Sequence, residues 1–122
     1  MMNENRDRAA PSQGKTTIAP GVLLTIARLT ALGVPGVVRM AEVPGGVDRL
    51  FRRGTGEGVR IEVDDDSVAV DLYLVLANET NAREVSRNVQ SEVARAVEDM
   101  VGMQAKRIDI HIEDIDFGET TG

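Results

Sequence analysis

Hydrophobic and polar positions alternate along Gly58–Asn78, GVRIEVDDDSVAVDLYLVLAN. Val59, Ile61 and Val63 fall on one side of an extended chain, with Arg60, Glu62 and Asp64 on the other. Asp65, Asp66 and Ser67 break the run, and Val68, Val70, Leu72, Leu74 and Leu76 then resume the period of two. Two such runs joined by turn residues predict an antiparallel hairpin with one continuous aliphatic face. That face has to be kept from water, so helices elsewhere in the chain are expected to cover it.

A period near 3.6 appears twice. Pro20 suits the first turn of a helix, where its missing N–H needs no partner. Val22, Leu23, Ile26, Leu29 and Thr30 follow at helical spacing, and Gly33 and Pro35 stop the run, predicting a helix over about 20–32. The second helix is expected from N-cap candidates at 78–81 to about Met100. Val85, Val89, Val93, Ala96, Val97 and Met100 form its apolar stripe, and Arg83, Glu84, Arg87, Glu92, Arg95, Glu98 and Asp99 its solvated face. Lys15–Ile18, Val37–Val43 and Lys106–Glu113 read as further strands, the last with Ile108, Ile110 and Ile112 on one face. Residues 47–53 (VDRLFRR) read as two helical turns, and Gly54, Gly56 and Gly58 as a mobile loop into the hairpin.

The expected fold is therefore α+β and two-layered. A mostly antiparallel sheet carries two long helices on one face, in the order β-α-β-(short α)-β-β-α-β. Residues 1–13 are polar and breaker-rich and are expected to be disordered. Residues 14–117 form the one domain, and 118–122 a flexible tail.

Composition narrows the function. The chain has 122 residues and is 42% hydrophobic, almost all of it aliphatic: no Trp, one Tyr and two Phe. Such a core packs densely but offers few stacking platforms for bases. The formal charge of −6, from 20 acidic and 14 basic residues, opposes sequence-independent attraction to nucleic acid or anionic lipid. There is no cysteine, which excludes disulfides, thiol catalysis and thiolate metal sites. No apolar run approaches the ~18–20 residues that cross a bilayer, and residues 1–14 hold no apolar signal core. The chain is expected to be cytoplasmic.

Three local patterns suggest chemistry, and each is outweighed by its context. Ala9–Thr16 (AAPSQGKT) ends like a phosphate-binding loop, but a charged tail precedes it and the helix starts too late. Asp64, Asp65 and Asp66 are adjacent, whereas calcium loops space their ligands at alternate positions. His111, the one histidine, sits between Asp109 and Glu113 on the polar face of its strand, with no nucleophile or third ligand placed beside it. No catalytic residue, metal or cofactor is expected. The open sheet face is the better candidate for an interaction surface, with Tyr73, Val75, Arg60 and His111 as an amphipathic spot among charges. Arg49, Leu50, Phe51, Arg52 and Arg53 form a second candidate, an aromatic ringed by local positive charge.

Residues 68–117 resemble the alkaline-shock-protein family of bacterial envelope stress response proteins. Its pieces appear in order: Val-Asp-Leu-Tyr at 70–73, the EVxxxVQxxVxxAVExM helix at 84–100, and the closing IDIHIEDIDF. Gly14–Val22 and ALGVPGVVRM (31–40) are similar to the family's opening strand and Gly-Val turn, so the resemblance spans about 14–117. Met100-Val101-Gly102 stands where the family often has Met-Thr-Gly. The resemblance implies a non-catalytic cytoplasmic protein of the cell envelope that works through self-association or a protein partner. It also implies peripheral association with the inner face of the membrane through a separate anchor protein, as in some members. The alternative from a different class is a nucleic-acid-binding α+β domain, opposed by the acidic balance and by the lack of open-face aromatics beyond Tyr73.

Overall fold

The structure is a computed structural model, and it describes residues 14–44 and 53–118. Helix α1 (Pro20–Leu32) opens the regular structure, followed by β1 (Val37–Met40), β2 (Arg53–Gly56), β3 (Val59–Asp64) and β4 (Ser67–Ala77). Helix α2 (Ala82–Ala96) runs into a π-helical turn, Val97–Val101, and β5 (Gln104–Asp116) closes the chain. The expected α+β architecture is present, with five strands in one sheet and both helices packed on its aliphatic face.

Local sequence accounts for the helix ends. Pro20 is the first residue of α1, and the Gly33 N–H returns to the carbonyls of Leu29 and Thr30. At the start of α2, Asn81 accepts the Glu84 N–H at 3.0 Å through its side chain, and Glu84 adds negative charge in the first turn. Gly102 ends the π turn in the left-handed region at φ 77°, a conformation natural to glycine.

Strand β4 is the spine. Along one edge its first half pairs antiparallel with β3 and its second half with β1, while β5 runs parallel along its whole other edge. The parallel pairing follows from connectivity, because β4 reaches β5 through the helical crossover α2. On the helix side Val68, Val70, Leu72, Leu74 and Leu76 are fully buried against Leu23, Ala27 and Ala31 of α1 and Val85, Val89 and Val93 of α2.

β3 and β1 meet end to end at Tyr73. Its N–H donates to the Gly58 carbonyl at 2.9 Å, and its own carbonyl accepts the Ala41 N–H at 2.8 Å. Gly58 has φ 73°, and a Cβ there would lie 2.6 Å from Met40 Cβ and 2.8 Å from the Ala41 carbonyl oxygen. Gly58→Ala therefore combines a left-handed penalty with a clash against backbone, and is expected to cost roughly 2–3 kcal/mol. Urea denaturation beside Gly14→Ala checks this, since a Cβ at Gly14 meets nothing within 4 Å although its φ is also positive.

Several expectations are corrected. Lys15–Ile18 is not a strand; residues 14–19 carry no regular structure before α1. The glycine loop is partly a strand, since Arg53–Gly56 pairs with Val59–Glu62 of β3. The strand expected over Val37–Val43 stops at Met40, and β5 is longer than Lys106–Glu113. Of the helical turns expected over 47–53, residues 47–52 lie outside the described residues, and Arg53 begins β2.

Candidate functional site

The sheet face away from the helices carries the residues expected to form an interaction surface. Its geometry is set by the β4–β5 register, which places Asp71 beside Asp109 and Tyr73 beside His111. Across β4's other edge, Arg60 of β3 pairs with Asp71. The structure therefore brings Arg60, Tyr73 and His111 together.

They form a closed group rather than an open patch. The His111 ring stacks on Tyr73 with centroids 4.4 Å apart and planes 11° from parallel. The Arg60 guanidinium approaches the same ring from the β3 side, 5.8 Å from its centroid. Tyr73 is consequently 5% exposed, and Val75, two residues further along the same face, is 4% exposed. The expectation of an exposed aromatic is corrected: flanking side chains on both neighbouring strands lean over the ring and remove it from water. A base would find no free face of this ring to stack upon. Val75 lies at the floor of a shallow hollow bordered by Arg39, Met40, Pro44, Glu113 and Asp114.

Charge on this face is largely satisfied internally. His111 Nε2 lies 3.0 Å from Asp71 Oδ1, and the same oxygen takes an Arg107 N–H at 3.3 Å. Arg107 also donates to Asp109. The Asp109 hydrogen bond, reinforced by the field of Asp71, raises the Arg107 pKa above its ordinary value despite some opposing desolvation. His111 thus bonds to Asp71 on the neighbouring strand rather than serving a row with Asp109 and Glu113. Glu113 is the extra residue of a bulge between Ile112 and Asp114, which takes it out of the alternation. Arg107 and Asp71, the hub of this network, were legible in the sequence only as polar positions, because their meeting depends on the parallel register.

The other candidates are placed as follows. Lys15 is exposed in the segment before α1, five residues ahead of the first helical residue. Asp65 sits at the hairpin tip with φ 54°, the Asp66 carbonyl accepts the Gln104 N–H, and Asp64 faces Lys106 at 3.9 Å. Among the described residues no cluster of three or more His, Asp or Glu is placed to hold a metal ion. Arg49, Leu50, Phe51 and Arg52 lie outside the described residues, and Arg53 is the first residue of β2. No described helix is long and apolar enough to cross a membrane.

Apolar surface remains exposed elsewhere. Val22 and Leu29 lie on the outer side of α1, Met100 on the π turn and Phe117 beyond β5, each at least 48% exposed. The outer edge of β5 has no paired strand among the described residues.

Comparison with known proteins places this architecture. An uncharacterized protein of Bacillus subtilis strain 168, YqhY, is 32% identical over 106 residues, covering 85% of this chain and 78% of the relative. An uncharacterized protein of Streptococcus pyogenes serotype M6, Spy1535, is 31% identical over 103 residues, covering 84% and 79%. Among solved structures, the copper form of MamM CTD superposes with a TM-score of 0.57 at 16% identity, covering 83% of this chain and 91% of that one. A zinc form of a MamM CTD variant gives 0.56 at 17%, again over 83% and 91%. Likeness at that identity establishes the shared fold alone. Residues 8–117 match the family model directly. The chain belongs to the alkaline shock protein 23 family, whose members have a cell envelope-related function.

Proposed function

We propose that this protein is a non-catalytic interaction module of the bacterial cell envelope that works by self-association and by holding a protein partner. The observation that carries the reading is the match of residues 8–117 to a family with a cell envelope-related function. The distribution of the surface supports it. Charged groups on the open sheet face are bonded to one another, with Asp71 shared by Arg107 and His111. Large apolar side chains instead stand outside the core on α1, at Met100 and at Phe117, where they are available to a protein partner.

Membrane association, on this reading, is indirect and requires an anchor protein. The test is crosslinking in cells that make the protein, followed by separation of membrane and soluble fractions. Sedimentation of the purified chain across a wide range of concentration completes it. The expected result is a crosslinked species in the membrane fraction and a solution mass above the 13.2 kDa of one chain. A chain that stays at 13.2 kDa and crosslinks to nothing overturns the reading.

A further inference from the structure

We infer that two copies of this chain join through the outer edges of β5, paired antiparallel about a two-fold axis at Ile110, so that both sheets become one. This rests on the self-association reading above and names its surface.

β5 is 13 residues long and is bonded along one side only among the described residues. Edges of this length present rows of N–H and C=O groups that recruit another strand unless they are guarded. Here the guards stand near the two ends. Bulges interrupt the ladder between Ala105 and Arg107 and between Ile112 and Asp114, leaving Arg107–Ile112 as the regular run. Within that run Gln90 Nε2 donates to the Ile108 carbonyl at 3.0 Å, which turns that carbonyl away from β4. By the alternation of a strand, Ile110 and Ile112 also direct their backbone groups outward. Their side chains on the helix side, with Ile108 and Ile115, are only partly buried and border the core. The edge thus offers both unpaired backbone and incompletely covered apolar surface.

The sequence of the edge specifies its partner. Residues 106–114 read Lys-Arg-Ile-Asp-Ile-His-Ile-Glu-Asp, a pattern that meets its own reverse with opposite charge. With Ile110 opposite Ile110, the bulged pair Lys106 and Arg107 faces the bulged, oppositely charged pair Asp114 and Glu113 of the second copy, and Asp109 lies across from the His111 ring. Ile108 then lies across from Ile112. Each pair occurs twice, as two-fold symmetry requires. A shift of two residues one way sets Asp109 against Asp109, and the other way sets Asp109 against Glu113. Parallel pairing in register sets like against like throughout. Directly opposed like charges are destabilising, so one register is selected. It makes Ile110/Ile110 and Ile108/Ile112 the hydrogen-bonded pairs, matching the outward direction of those backbone groups. The Gln90 amide on the Ile108 carbonyl is exchanged for the N–H of Ile112 in the second copy.

Charge exchange tests this. Lys106→Glu and Asp114→Lys change exposed side chains, and each alone sets two repelling pairs in the dimer. Each is expected to weaken self-association roughly tenfold in sedimentation, and an equimolar mixture to restore it, because every altered pair is then attractive again. Melting temperatures of the separate variants verify that both are folded. A second measurement uses the absence of cysteine from the chain. Ile110→Cys places two thiols on the axis with Cα atoms about 5.5 Å apart, within disulfide reach, and should yield a covalent dimer on oxidation. Leu29→Cys, on the outer side of α1, should not. If the chain self-associates but ignores the charge changes, or crosslinks through Leu29→Cys instead of Ile110→Cys, the β5 pairing is wrong and self-association stands. If the chain is monomeric throughout, both fall.

Discussion

Val89→Asp should cost the domain most or all of its stability. Val89 is fully buried under α2 against the β4 spine, between Val85 and Val93 of its own stripe. A carboxylate there is enclosed, among the described residues, by the aliphatic side chains of the core, so it is held neutral. Keeping a carboxyl protonated at pH 7, about three pKa units above its ordinary value, costs about 4 kcal/mol, before the loss of apolar burial is added. Domains of this size are stable by only ~5–15 kcal/mol. The sign of the pH dependence follows from the raised folded-state pKa. The native variant binds the extra proton, so its stability falls as pH rises from about 4 towards 7, and the electrostatic penalty shrinks to about 1.5 kcal/mol at pH 5. Arg87→Ala, on the exposed side of the same helix, should change stability by less than about 0.5 kcal/mol. Equal denaturation midpoints for the two variants would refute the placement of the stripe.

That placement was legible because an amphipathic helix announces its buried face in its spacing. Pro20 and Gly33 bounded α1, and Val85, Val89, Val93 and Val97 marked the core side of α2, although Met100 of the expected stripe is exposed. The expected apolar face of α1 is corrected: Leu23, Ala27 and Ala31 are buried, while Val22 and Leu29 are exposed. The hairpin was equally plain, since its strands alternate and Asp65 and Asp66 form the turn between them. Strand β2 was hidden because Arg53-Gly-Thr-Gly has little intrinsic preference for a strand; its extended form comes from the register with β3. Lys15–Ile18 misled in the opposite sense, having β-type residues and no strand partner among the described residues. The ends of β5 were hidden by the bulges at Lys106 and Glu113, where the period of two is lost.

The open face was the least legible part, because it depends on pairs of residues far apart in sequence. Polarity at alternate positions assigns Arg60, Asp71, Tyr73 and His111 to one side of a sheet. It does not say which of them are neighbours. The parallel β4–β5 register does so, bringing His111 to Tyr73 and Arg107 to Asp71. What reads as an exposed spot in one dimension becomes a covered ring in three. The charge palindrome of 106–114 is visible in sequence, yet it acquires meaning only once β5 is known to be an edge.

Tyr73→Ala is accordingly expected to damage the fold, by about 3–4 kcal/mol. The ring is 5% exposed, lies flat against His111 and sits beside the Arg60 guanidinium. Removing it leaves a void between β3 and β5 at the point where Gly58 and Ala41 both bond to the Tyr73 backbone. Truncation of a buried aromatic to Ala typically costs 3–5 kcal/mol, and the half-exposed His111 allows some collapse, which places the estimate at the lower end. Tyr73→Phe keeps the stack and the apolar body, so it should stay within about 1 kcal/mol of the parent. His111→Ala removes the partner ring while leaving Tyr73 in place, and should cost about 1 kcal/mol. A double-mutant cycle between the two should return a coupling of about 0.5–1.5 kcal/mol, the range for stacked rings. Urea denaturation of the parent, the three single variants and the double variant measures all of these. A Tyr73→Ala chain as stable as the parent, with no coupling to His111, would mean that the ring stands in solvent and that the sheet face is open to a partner after all.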